Sequence, residues 1–577
     1  MARTDWYKDM VFYQIWPRSF CDGNGDGVGD LWGVLQKLDY VKSLGVTGIW
    51  FSPLYPSPNA DFGYDVSDYR AIDPAYGDLG VFDRVVAAAH ERDLKVVMDL
   101  VINHTSSEHE WFRQALADAD SPYHDYYFFR RGSVDRKGRR MPPNNWDSLL
   151  GGSAWEYVEA LDEYYLHTFD KAQPDLNLDN PAVRGEVEDV MHFWLDRGVD
   201  GFREDVITFV SKPQGLPSDV LGLPGSRGLR LYNCGPRLRS YLMQFRRDVL
   251  DSHDCVVVGE APMLGARKAL ALTAARRGER PLDLVIGFDH MQADCMYTEY
   301  LPRPFSLRKL KRAYAQWQDA LGESGWCALY LENHDHPRVV SRYGSEAFRA
   351  ESAASLAASY LFQRGTPFVY QGQELGMTNV RFDSIEQVPD PQAHAHYRRV
   401  VEGGKSPEEA LALVNRAGRD NARSPMQWTG EKDAGFCPKD AHEGPWVAVN
   451  PNHVEVNVAA EDDDLMSPLN FYRRAIRLRR LLPVVRSGRY HEFKRASSKL
   501  YVYARESTWS RLLVMCSFSD EPVTFHVPDT YGDLGDGVLA LSNYYVTDAE
   551  ADDANQLTLR PWETRAYVFG RDAVLVD

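Results

Sequence analysis

The chain of 577 residues has few cysteines, no long apolar run and no excess of basic charge. Its seven cysteines are scattered and form no C-x-x-C pair, which argues against a thiolate metal site and a disulfide framework. Unpaired cysteines are typical of a reducing compartment, so we expect a cytoplasmic protein. No stretch of about eighteen apolar residues is present to span a membrane. Residues 1–20 also lack the basic, apolar and small-residue segments of a signal peptide.

Acidic side chains outnumber basic ones by 83 to 65, giving a formal net charge of −18. A phosphate backbone or an anionic lipid surface would be repelled by this charge, so neither nucleic acid nor a membrane is an expected partner. Apolar residues make up 44% of the chain and charged residues 26%, as in ordinary globular proteins. The aromatic content of 12% suits stacking on sugar rings, but such residues also serve in cores. Composition leaves these two roles open.

Short apolar runs rich in Val, Ile, Tyr and Phe alternate with helical patterns, as in β/α repeats. The predicted strands are residues 11–16, 48–51, 95–101, 201–205, 255–260, 284–289, 328–332 and 367–370. The predicted helices are residues 31–44, 82–92, 182–197, 236–250, 307–321, 346–362 and 469–482. Eight such repeats predict an α/β fold, the closed (β/α)8 TIM barrel, in which reactive side chains lie at the C-terminal ends of the strands.

Two of the connections are too long to be ordinary loops, which indicates insertions into the barrel. The last part of the chain changes to alternating short strands at residues 499–504, 511–517 and 564–569 and predicts a separate all-β domain. The predicted domains are a first barrel part at residues 1–103, an inserted small domain after strand three at 104–173, a second barrel part at 174–488 with an insertion at about 372–446, and a C-terminal β-sandwich at 489–577.

Three of the predicted strands end in or near an acid, namely Asp205, Glu260 and Asp335. Because the C-terminal ends of barrel strands converge, we expect these carboxyl groups to meet. A nucleophilic carboxylate about 5 Å from a protonated carboxylic acid is the apparatus of retaining glycoside hydrolysis, which proceeds through a covalent glycosyl-enzyme. One acid alone is more typical of a structural ion pair. Three acids together with Arg203 and His334 favour catalysis.

Four segments resemble the four motifs of the α-amylase family, glycoside hydrolase family thirteen, in order and in spacing. They are Asp99-Leu-Val-Ile-Asn-His104, Gly201-Phe-Arg-Glu-Asp205, Val258-Gly-Glu260 and Glu332-Asn-His-Asp335. Two more segments, Gln173-Pro-Asp-Leu-Asn177 and Arg419-Asp-Asn-Ala-Arg-Ser-Pro-Met-Gln-Trp428, are similar to those of the oligo-1,6-glucosidase and α-glucosidase branch. The resemblance covers nearly the whole chain, because the inserted domain and the β-rich C-terminal domain also match that family's arrangement.

The resemblance implies that Asp205 is the nucleophile, Glu260 the general acid and base, and Asp335 the carboxylate that binds sugar hydroxyls and stabilises the transition state. It also implies a pocket for one glucose, lined by Tyr64, Asp65, His104, Phe169, Arg203, His334 and Arg423. Asp99 and Asn103 are expected to support the site. A pocket closed by an aspartate and an arginine implies release of single glucose units from the non-reducing end. No organic cofactor is implied.

Three positions in or next to these motifs carry further expectations. Val206 follows the nucleophile, where members of the branch that cut α-1,6 bonds usually have valine, so a preference for that linkage is expected. Glu204 departs from the usual apolar residue. Strand alternation directs it toward the helix layer, where a buried carboxylate needs a basic or hydrogen-bonding neighbour. His336 replaces the commoner glutamine and is expected to reshape the next sugar subsite.

The segment Asp22-Gly-Asn-Gly-Asp-Gly-Val-Gly-Asp30 places oxygen-bearing side chains at alternate positions between glycines. Such a loop can wrap a hard cation, and a similar metal loop occurs in the branch that the chain resembles. The predicted ligands of a structural Ca²⁺, or alternatively Mg²⁺, are Asp22, Asn24, Asp26, the Val28 carbonyl and Asp30. The alternative interpretation is an acidic turn without a metal.

The leading hypothesis is a retaining, exo-acting α-glucosidase that acts on short α-1,6-linked, and also α-1,4-linked, gluco-oligosaccharides. A sucrose isomerase or transglucosylase would use the same nucleophile, but the segment Phe288-Asp-His-Met-Gln292 lacks the arginine-rich loop that sucrose isomerases often have there. A noncatalytic subunit of an amino-acid transporter is a remote alternative, because such proteins need a membrane anchor and commonly lack part of the acid set. The expected partner is a small oligosaccharide, and the oligomeric state stays open.

Overall fold

A computed structural model describes residues 5–275, 278–528, 534–547 and 555–576. Its centre is a barrel of eight parallel strands: β1 Phe12–Ile15, β2 Gly48–Phe51, β3 Lys95–Leu100, β4 Gly201–Glu204, β5 Val256–Glu260, β6 Leu284–Ile286, β7 Ala328–Leu329 and β8 Thr366–Tyr370. The strands are hydrogen-bonded in the order β6-β5-β4-β3-β2-β1-β8-β7. A parallel bridge between Val285 and Cys327 joins β6 to the start of β7 and closes the ring. The predicted barrel is confirmed.

One helix follows each barrel strand and covers its outer face. The eight helices are α1 Leu31–Ser43, α2 Leu79–Glu91, α3 Pro181–Asp196, α4 Leu238–Asp248, α5 Ala266–Thr273, α6 Leu307–Leu321, α7 Arg349–Leu361 and α8 Pro468–Leu481. Only α5 was absent from the predicted helices. Several helices begin at a side chain that accepts a backbone N–H, for example Asp78 before α2 and Ser306 before α6. None of the helices in the described ranges is long and apolar enough to cross a bilayer.

The barrel strands are buried on both faces, which explains why they read as continuous apolar runs. Side chains that point inward fill the lumen and include Phe12, Trp50, Val97, Val256 and Phe368. A separate, larger cluster joins the outward-pointing side chains to the helices. Because the lumen is filled by these side chains, the open space of the barrel lies at the C-terminal ends of the strands.

Two insertions cover that end of the barrel. The first, between β3 and α3, contains the helix Glu110–Ala117 and the strands Phe129–Arg130, Ser133–Val134, Arg140–Met141, Trp155–Val158 and Glu163–Leu166. The second, between β8 and α8, contains the helices Pro391–Glu402, Pro407–Ala417 and Val458–Asp462. The two insertions touch each other where Arg399 donates a hydrogen bond to the Leu150 carbonyl at 3.3 Å. Shorter elements around the barrel are the helices Leu229–Tyr232, Val339–Tyr343 and Pro483–Ser487 and the strand pair Cys295–Met296 and Thr298–Pro302.

The C-terminal domain consists of two antiparallel sheets. A five-stranded sheet has the order Arg489–Phe493, Leu500–Glu506, Ser510–Ser517, Thr564–Gly570 and Val538–Ser542, and a two-stranded sheet pairs Val523–His526 with Gln556–Leu559. One buried cluster contains Val502 and Met515 from the first sheet and Phe525 and Leu557 from the second. The two sheets therefore share a core, as in a sandwich.

Candidate active site

The register of the barrel strands brings the predicted acids to one place. Asp99 on β3 is paired with Arg203 on β4, and Arg203 is in turn paired with Val258 on β5. Since side chains alternate along a strand, Glu260 lies on the same face as Val258 and Arg203. Asp205 follows the end of β4 and donates its backbone N–H to the Leu100 carbonyl at 3.0 Å, which ties it to the end of β3.

A single guanidinium group connects the acids. Nη1 of Arg203 lies 2.6 Å from Oδ1 of Asp99 and 2.7 Å from Oδ1 of Asp205, while Nη2 lies 2.5 Å from Oε1 of Glu260. The other oxygen of Glu260, Oε2, accepts the backbone N–H of Val206 at 3.0 Å. The predicted nucleophile and the predicted acid are therefore side by side, each bound to a different nitrogen of the same arginine.

Asp205 and Glu260 line a cavity of about 250 Å³, which we call the catalytic cavity, whereas Arg203, predicted in its wall, lies behind them and outside the lining. It is lined by Asp61, Tyr64, His104, Leu149, Leu150, Phe169, Asp205, Val206, Phe209, Glu260, Pro262, Met263, Phe288, Asp335, Gln392 and Arg419. All three predicted catalytic acids are among these residues. The structure therefore brings them together around one small space.

The charge balance of this cluster retains a proton. Three carboxylates surround one buried guanidinium, and like charges this close cannot all ionise. Burial raises the pKa of Asp205 well above its usual range; Arg203 opposes this, and Glu260 adds to it. Burial likewise raises the pKa of Asp99 to about 6, against the effect of Arg203. Because these carboxyl groups lie around one arginine and influence each other, the retained proton belongs to the cluster and not to one residue.

Asp335 has the opposite environment. Its Oδ1 lies 3.2 Å from Nη2 of Arg423 and 3.4 Å from Nη1 of Arg419. Burial favours the neutral carboxyl, but His334 and the two arginines outweigh burial and hold the pKa of Asp335 well below its usual range. Asp335 is therefore an ionised acceptor that faces the catalytic cavity.

His334 lies behind Tyr64 and outside the cavity lining. Their rings are stacked with centroids 5.4 Å apart, and Nε2 of His334 lies 2.7 Å from the Tyr64 hydroxyl and 3.2 Å from Oδ2 of Asp335. The amide of Gln14 donates to Nδ1 of His334 at 2.8 Å, so the hydrogen of the neutral ring is on Nε2. Burial lowers the pKa of His334 to about 3, and the ring is neutral at physiological pH. This chain of hydrogen bonds holds Tyr64 against Asp99 at 3.1 Å.

His104 and Phe169 form the part of the wall that comes from the first insertion. Their ring centroids are 5.2 Å apart, and both side chains line the catalytic cavity as predicted. Nε2 of His104 lies 3.1 Å from the Gln173 amide nitrogen, which also donates to Oδ2 of Asp61 at 3.2 Å. Burial lowers the pKa of His104 to about 4, so this ring is also a neutral hydrogen-bonding group.

Asp65 does not line the cavity, contrary to the prediction. Its carboxylate is buried within its own loop, where it accepts the Ser57 hydroxyl at 2.7 Å and the backbone N–H groups of Ala60 and Asp61, both at 2.9 Å. Asp61, four residues earlier, is the aspartate that lines the cavity, and it binds Arg419 at 2.8 Å. An aspartate and an arginine are paired in the lining, but they are Asp61 and Arg419 instead of the predicted Asp65 and Arg423.

The arginine of this pair is Arg419, whereas the predicted Arg423 lies outside the lining of the cavity. Arg423 is 1% exposed, donates from Nε to the His334 carbonyl at 2.9 Å and contacts Asp335 from outside the cavity. Arg419 lines the cavity and lies 2.8 Å from Asp390 as well as from Asp61. Arg423 therefore holds Asp335 from outside the cavity, whereas Arg419 is part of the cavity wall.

Val206 occupies a strained position directly after the nucleophile. Its φ of +34° is in the left-handed region, which a β-branched residue rarely adopts. The conformation is maintained by the hydrogen bond from its N–H to Glu260 and by the turn into the 3-10 helix Ile207–Phe209. Strain of this kind is typical of functional sites, and here it accompanies the contact of the Val206 N–H with Glu260, next to Asp205.

Glu204 points toward the helix layer as predicted, but it has the predicted basic neighbour, Arg246, only through charge and not through a hydrogen bond. Glu204 is 1% exposed, and within the described part of the chain neither of its carboxyl oxygens has a hydrogen-bond partner. The charged groups that act on its pKa are Arg246 and Asp283, which form an ion pair with each other at 2.9 Å. Burial raises the pKa of Glu204 to about 8, so the group is neutral at physiological pH. A buried carboxyl group without a hydrogen bond costs less free energy when it is neutral than when it is ionised.

A larger cavity of about 610 Å³, which we call the vestibule, adjoins the catalytic cavity and shares Asp61, Phe169, Asp335 and Arg419 with it. Its further walls come from the two insertions and from the strand Thr298–Pro302. His336 is not itself part of the lining. It lies behind Glu299, which does line the vestibule, and Nδ1 of His336 is 2.9 Å from Oε1 of Glu299. The vestibule offers room for the sugar next to the one in the catalytic cavity.

The glycine-rich loop that follows β1 is held mainly by its own backbone. Asp22 accepts the N–H groups of Gly25 at 2.6 Å and Gly27 at 2.9 Å, and Asp30 accepts that of Gly33 at 2.6 Å as the cap of α1. Asn24 and Val28 hydrogen-bond with Asp26 at 3.0 and 2.9 Å. Across the described ranges, no three His, Cys, Asp or Glu side chains are grouped so as to hold a metal ion. The donor atoms suit Ca²⁺, but their arrangement would have to change to surround it.

Comparison with known proteins gives a consistent result. The family model for the alpha amylase catalytic domain matches residues 14–488. The chain is 44% identical to an oligo-1,6-glucosidase of Parageobacillus thermoglucosidasius over 569 residues, covering 97% of this chain and 98% of the relative. Among solved structures, a trehalose-6-phosphate hydrolase of Bacillus licheniformis has a TM-score of 0.92 at 38% identity, covering 98% and 100% of the two chains. An isomaltulose synthase of Klebsiella sp. LX3 has a TM-score of 0.89 at 36% identity, covering 98% and 99%.

Proposed function

The chain belongs to the α-amylase family of glycoside hydrolases, and from that premise we propose that it is a retaining, exo-acting α-glucosidase. Its substrates are the non-reducing ends of short gluco-oligosaccharides, with α-1,6 linkages preferred and α-1,4 linkages also accepted. The observation that carries the proposal is Arg203, whose two terminal nitrogens bind Asp205 and Glu260 at the wall of one small cavity.

The reaction follows from the positions of three acids. Asp205 attacks the anomeric carbon of the bound glucose while Glu260 gives its proton to the glycosidic oxygen, so the aglycone leaves as an alcohol. A water molecule then gives a proton to Glu260 and its oxygen to the anomeric carbon, which frees Asp205 and releases glucose with retained configuration. Ionised Asp335 accepts hydrogen bonds from the sugar hydroxyls and stabilises the positive charge that develops on the ring.

A pair of opposite charges in the catalytic cavity supports the recognition of a sugar by its hydroxyl groups. Asp61 and Arg419, bound to each other at 2.8 Å, occupy the lining, and Arg419 also reaches Asp335. An aspartate and an arginine side by side offer an acceptor and donors to the hydroxyls of a bound sugar. Both residues also line the vestibule, so they do not mark a closed end, and exo action is proposed from the similarity of the chain to oligo-1,6-glucosidases.

Val206 supports a preference among linkages. Its side chain lines the catalytic cavity beside Glu260, the group that protonates the glycosidic oxygen. A difference of one methyl group in such a pocket changes discrimination by about 1–3 kcal/mol. We therefore expect isomaltose to be hydrolysed faster than maltose, with both accepted.

The experiment that tests the function measures the products formed from isomaltose, maltose, sucrose and trehalose 6-phosphate. We expect glucose from isomaltose at the highest kcat/KM and initial release of the α-anomer. Conversion of sucrose mainly into an isomer would overturn hydrolysis in favour of the sucrose isomerase alternative. Preferred cleavage of trehalose 6-phosphate would overturn the assignment of an uncharged oligosaccharide as the substrate.

The loop of residues 22–30 is proposed to bind one structural Ca²⁺, with Mg²⁺ as the alternative ion. Asp22, Asn24, Asp26, Asp30 and the Val28 carbonyl supply oxygen donors of the kind that these ions prefer. Each carboxylate oxygen has a second lone pair beyond the one that accepts an N–H. The existing hydrogen bonds therefore leave lone pairs with which these oxygens can bind a cation. The ion would stabilise the loop and take no part in the reaction.

A cytoplasmic location is also proposed. All seven cysteines are free thiols, as is usual in a reducing compartment. Fractionation of the source cells tests this, with the protein expected beside a cytoplasmic marker enzyme. Recovery in the medium or in the membrane fraction would contradict the proposal.

A further inference from the structure

A carboxylate faces the vestibule at a point where the reaction as described has no use for it. Glu299 lies on the strand Thr298–Pro302, lines the vestibule, and has a side chain that is only 20% exposed. A carboxylate that has lost this much water must be compensated by other groups. The surroundings of Glu299 supply that compensation.

Two cationic or donor groups hold the same oxygen of Glu299. Nδ1 of His336 lies 2.9 Å from Oε1, and Nη1 of Arg342 lies 3.4 Å from the same atom. Burial opposes ionisation, but His336 and Arg342 outweigh burial and hold the pKa of Glu299 at about 2. The group is therefore a permanent anion, fixed through one oxygen, in the wall of a cavity.

The two supporting residues are themselves immobilised. His336 directly follows Asp335 in the chain, and its ring lies near Phe288 at 5.7 Å and Tyr330 at 6.3 Å between centroids. Arg342 is 2.7 Å from Asp294 and donates to the Met291 carbonyl at 3.0 Å. Glu299 consequently cannot swing away from the vestibule without breaking contacts made by buried groups.

The position of Glu299 relative to the reaction is set by its neighbours. Asp335 lines both the catalytic cavity and the vestibule, and Phe288 lines the catalytic cavity close to Glu260. When one glucose fills the catalytic cavity, the part of the substrate that leaves extends into the vestibule. An ionised carboxylate there can only accept hydrogen bonds, and sugar hydroxyls donate them.

We propose that Glu299 is a specificity-determining residue that binds the hydroxyl groups of the leaving sugar, with His336 and Arg342 as positioning residues. The ligand class is a hydroxyl-rich aglycone, such as the second hexose of a disaccharide. This inference rests on the proposed α-glucosidase activity and deepens it. It also gives a role to His336, which departs from the glutamine usual at that position.

The test compares isomaltose with 4-nitrophenyl α-D-glucopyranoside, whose leaving group carries no sugar hydroxyls. Glu299→Gln is expected to raise KM for isomaltose at least tenfold, with kcat within about threefold of the parent value. The change in KM for the aryl glucoside is expected to be at least fivefold smaller. His336→Ala is expected to raise KM for isomaltose more than KM for the aryl glucoside, but by less than Glu299→Gln does. His336→Gln retains a hydrogen-bond donor and is expected to restore most of the parent KM.

Glu402→Gln is the matched control, because Glu402 ends the helix Pro391–Glu402 beside the vestibule but is exposed and outside its lining. It is expected to leave both substrates unaffected. An equal loss on both substrates for Glu299→Gln, or no loss on isomaltose, would overturn the inference. If Glu299→Gln does not fold, Glu299→Asp tests the same difference in KM between the two substrates, with a carboxylate on a side chain that is one methylene shorter.

Failure of the wild-type protein to cleave either glucoside would instead count against the proposed function.

Discussion

At the scale of single residues, Arg203 determines how the catalytic carboxyl groups share charge. It binds Asp99 and Asp205 through one nitrogen and Glu260 through the other. Lysine could not take its place, because an ammonium group lacks the planar fork that reaches partners on two sides. The arginine thus holds Asp205 and Glu260 side by side, each on its own nitrogen.

The division of labour between Asp61 and Asp65 gives a paired prediction. Asp61→Asn is expected to lower kcat/KM for isomaltose at least a hundredfold with little change in thermal midpoint, because Asp61 lines the cavity. Asp65→Asn is expected to lower the thermal midpoint by several degrees, because its carboxylate accepts three hydrogen bonds within the loop. Steady-state kinetics and thermal unfolding of both variants check this. The reverse pattern would show that the two roles are exchanged.

The sequence predicted the catalytic acids but could not distinguish Asp61 from Asp65. Between them, Phe62 and Gly63 adopt left-handed φ values of +46° and +102°, which reverse the direction of the chain. The side chains that face the cavity depend on that turn, and spacing alone does not reveal it. The same difficulty separates Arg419 from Arg423, because the 3-10 helix Arg419–Asn421 begins there.

Glu204 gives a prediction about pH. Its folded-state pKa of about 8 exceeds the ordinary value of about 4.3 for a free glutamate. Below about pH 4 both the folded and the unfolded chain hold this proton. Between about pH 4.3 and 8 only the unfolded chain releases it, so the free energy of unfolding falls by up to about 1.4 kcal/mol per pH unit.

Glu204→Gln removes this dependence, so the variant is expected to gain stability relative to the parent as the pH rises from 5 to 8, by on the order of 1 kcal/mol or more. Denaturant unfolding of both proteins at the two pH values measures the difference. If the two proteins differed in free energy of unfolding by the same amount at pH 5 and at pH 8, the raised pKa of Glu204 would be contradicted. The sequence predicted the outward direction of Glu204 from strand alternation, but it could not predict whether Arg246 would reach it.

At the scale of elements, the barrel strands were predictable because they are buried on both faces and appear as continuous apolar runs. Most predicted and observed strands differ by one or two residues. The largest differences are at the sixth strand, predicted at residues 284–289, which ends at Ile286, and at the seventh, predicted at residues 328–332, which ends at Leu329. Helix α5 was missed because it has only eight residues, too few for a clear amphipathic period.

The glycine-rich loop gives the prediction about metal. If it binds Ca²⁺, the ion stabilises only the folded protein, by about 2.7 kcal/mol at a concentration one hundred times Kd. Saturating Ca²⁺ is therefore expected to raise the thermal midpoint by a few degrees and a chelator to lower it. Asp26→Ala, which removes one exposed donor, is expected to abolish the response. An unchanged midpoint in the parent protein would favour the acidic turn without a metal.

At the scale of the whole molecule, Lys311 joins the barrel to the C-terminal sandwich. It lies on α6, is 1% exposed, and donates to the carbonyl oxygens of Lys494, Ser497 and Leu500 at 2.9, 3.0 and 3.0 Å. Three carbonyl groups satisfy all three donors of the ammonium group. This contact ties the β-rich domain to the barrel at a place distant in sequence from either terminus.

Lys311→Met is expected to destabilise the protein by about 3–5 kcal/mol, because buried acceptors lose a charged donor. Hydrogen exchange in residues 489–506 is expected to rise, while kcat at low temperature stays within about twofold, since the contact is far from the catalytic cavity. Lys309→Met is the control, because Lys309 is exposed on the same helix. Equal stability of the two variants would show that Lys311 does not fasten the domains.

The covalent intermediate offers the most direct measurement of the central claim, that Asp205, Glu260 and Asp335 act on one glucosyl carbon. The protein is treated with 5-fluoro-α-D-glucosyl fluoride, which forms the glycosyl-enzyme but hydrolyses slowly, and is then examined by intact-mass and peptide mass spectrometry. We predict a gain of one fluoroglucosyl group, attached to Asp205, and no gain in Asp205→Asn. Attachment to another carboxylate, or continued turnover of isomaltose by Asp205→Asn at the parent rate, would contradict the account.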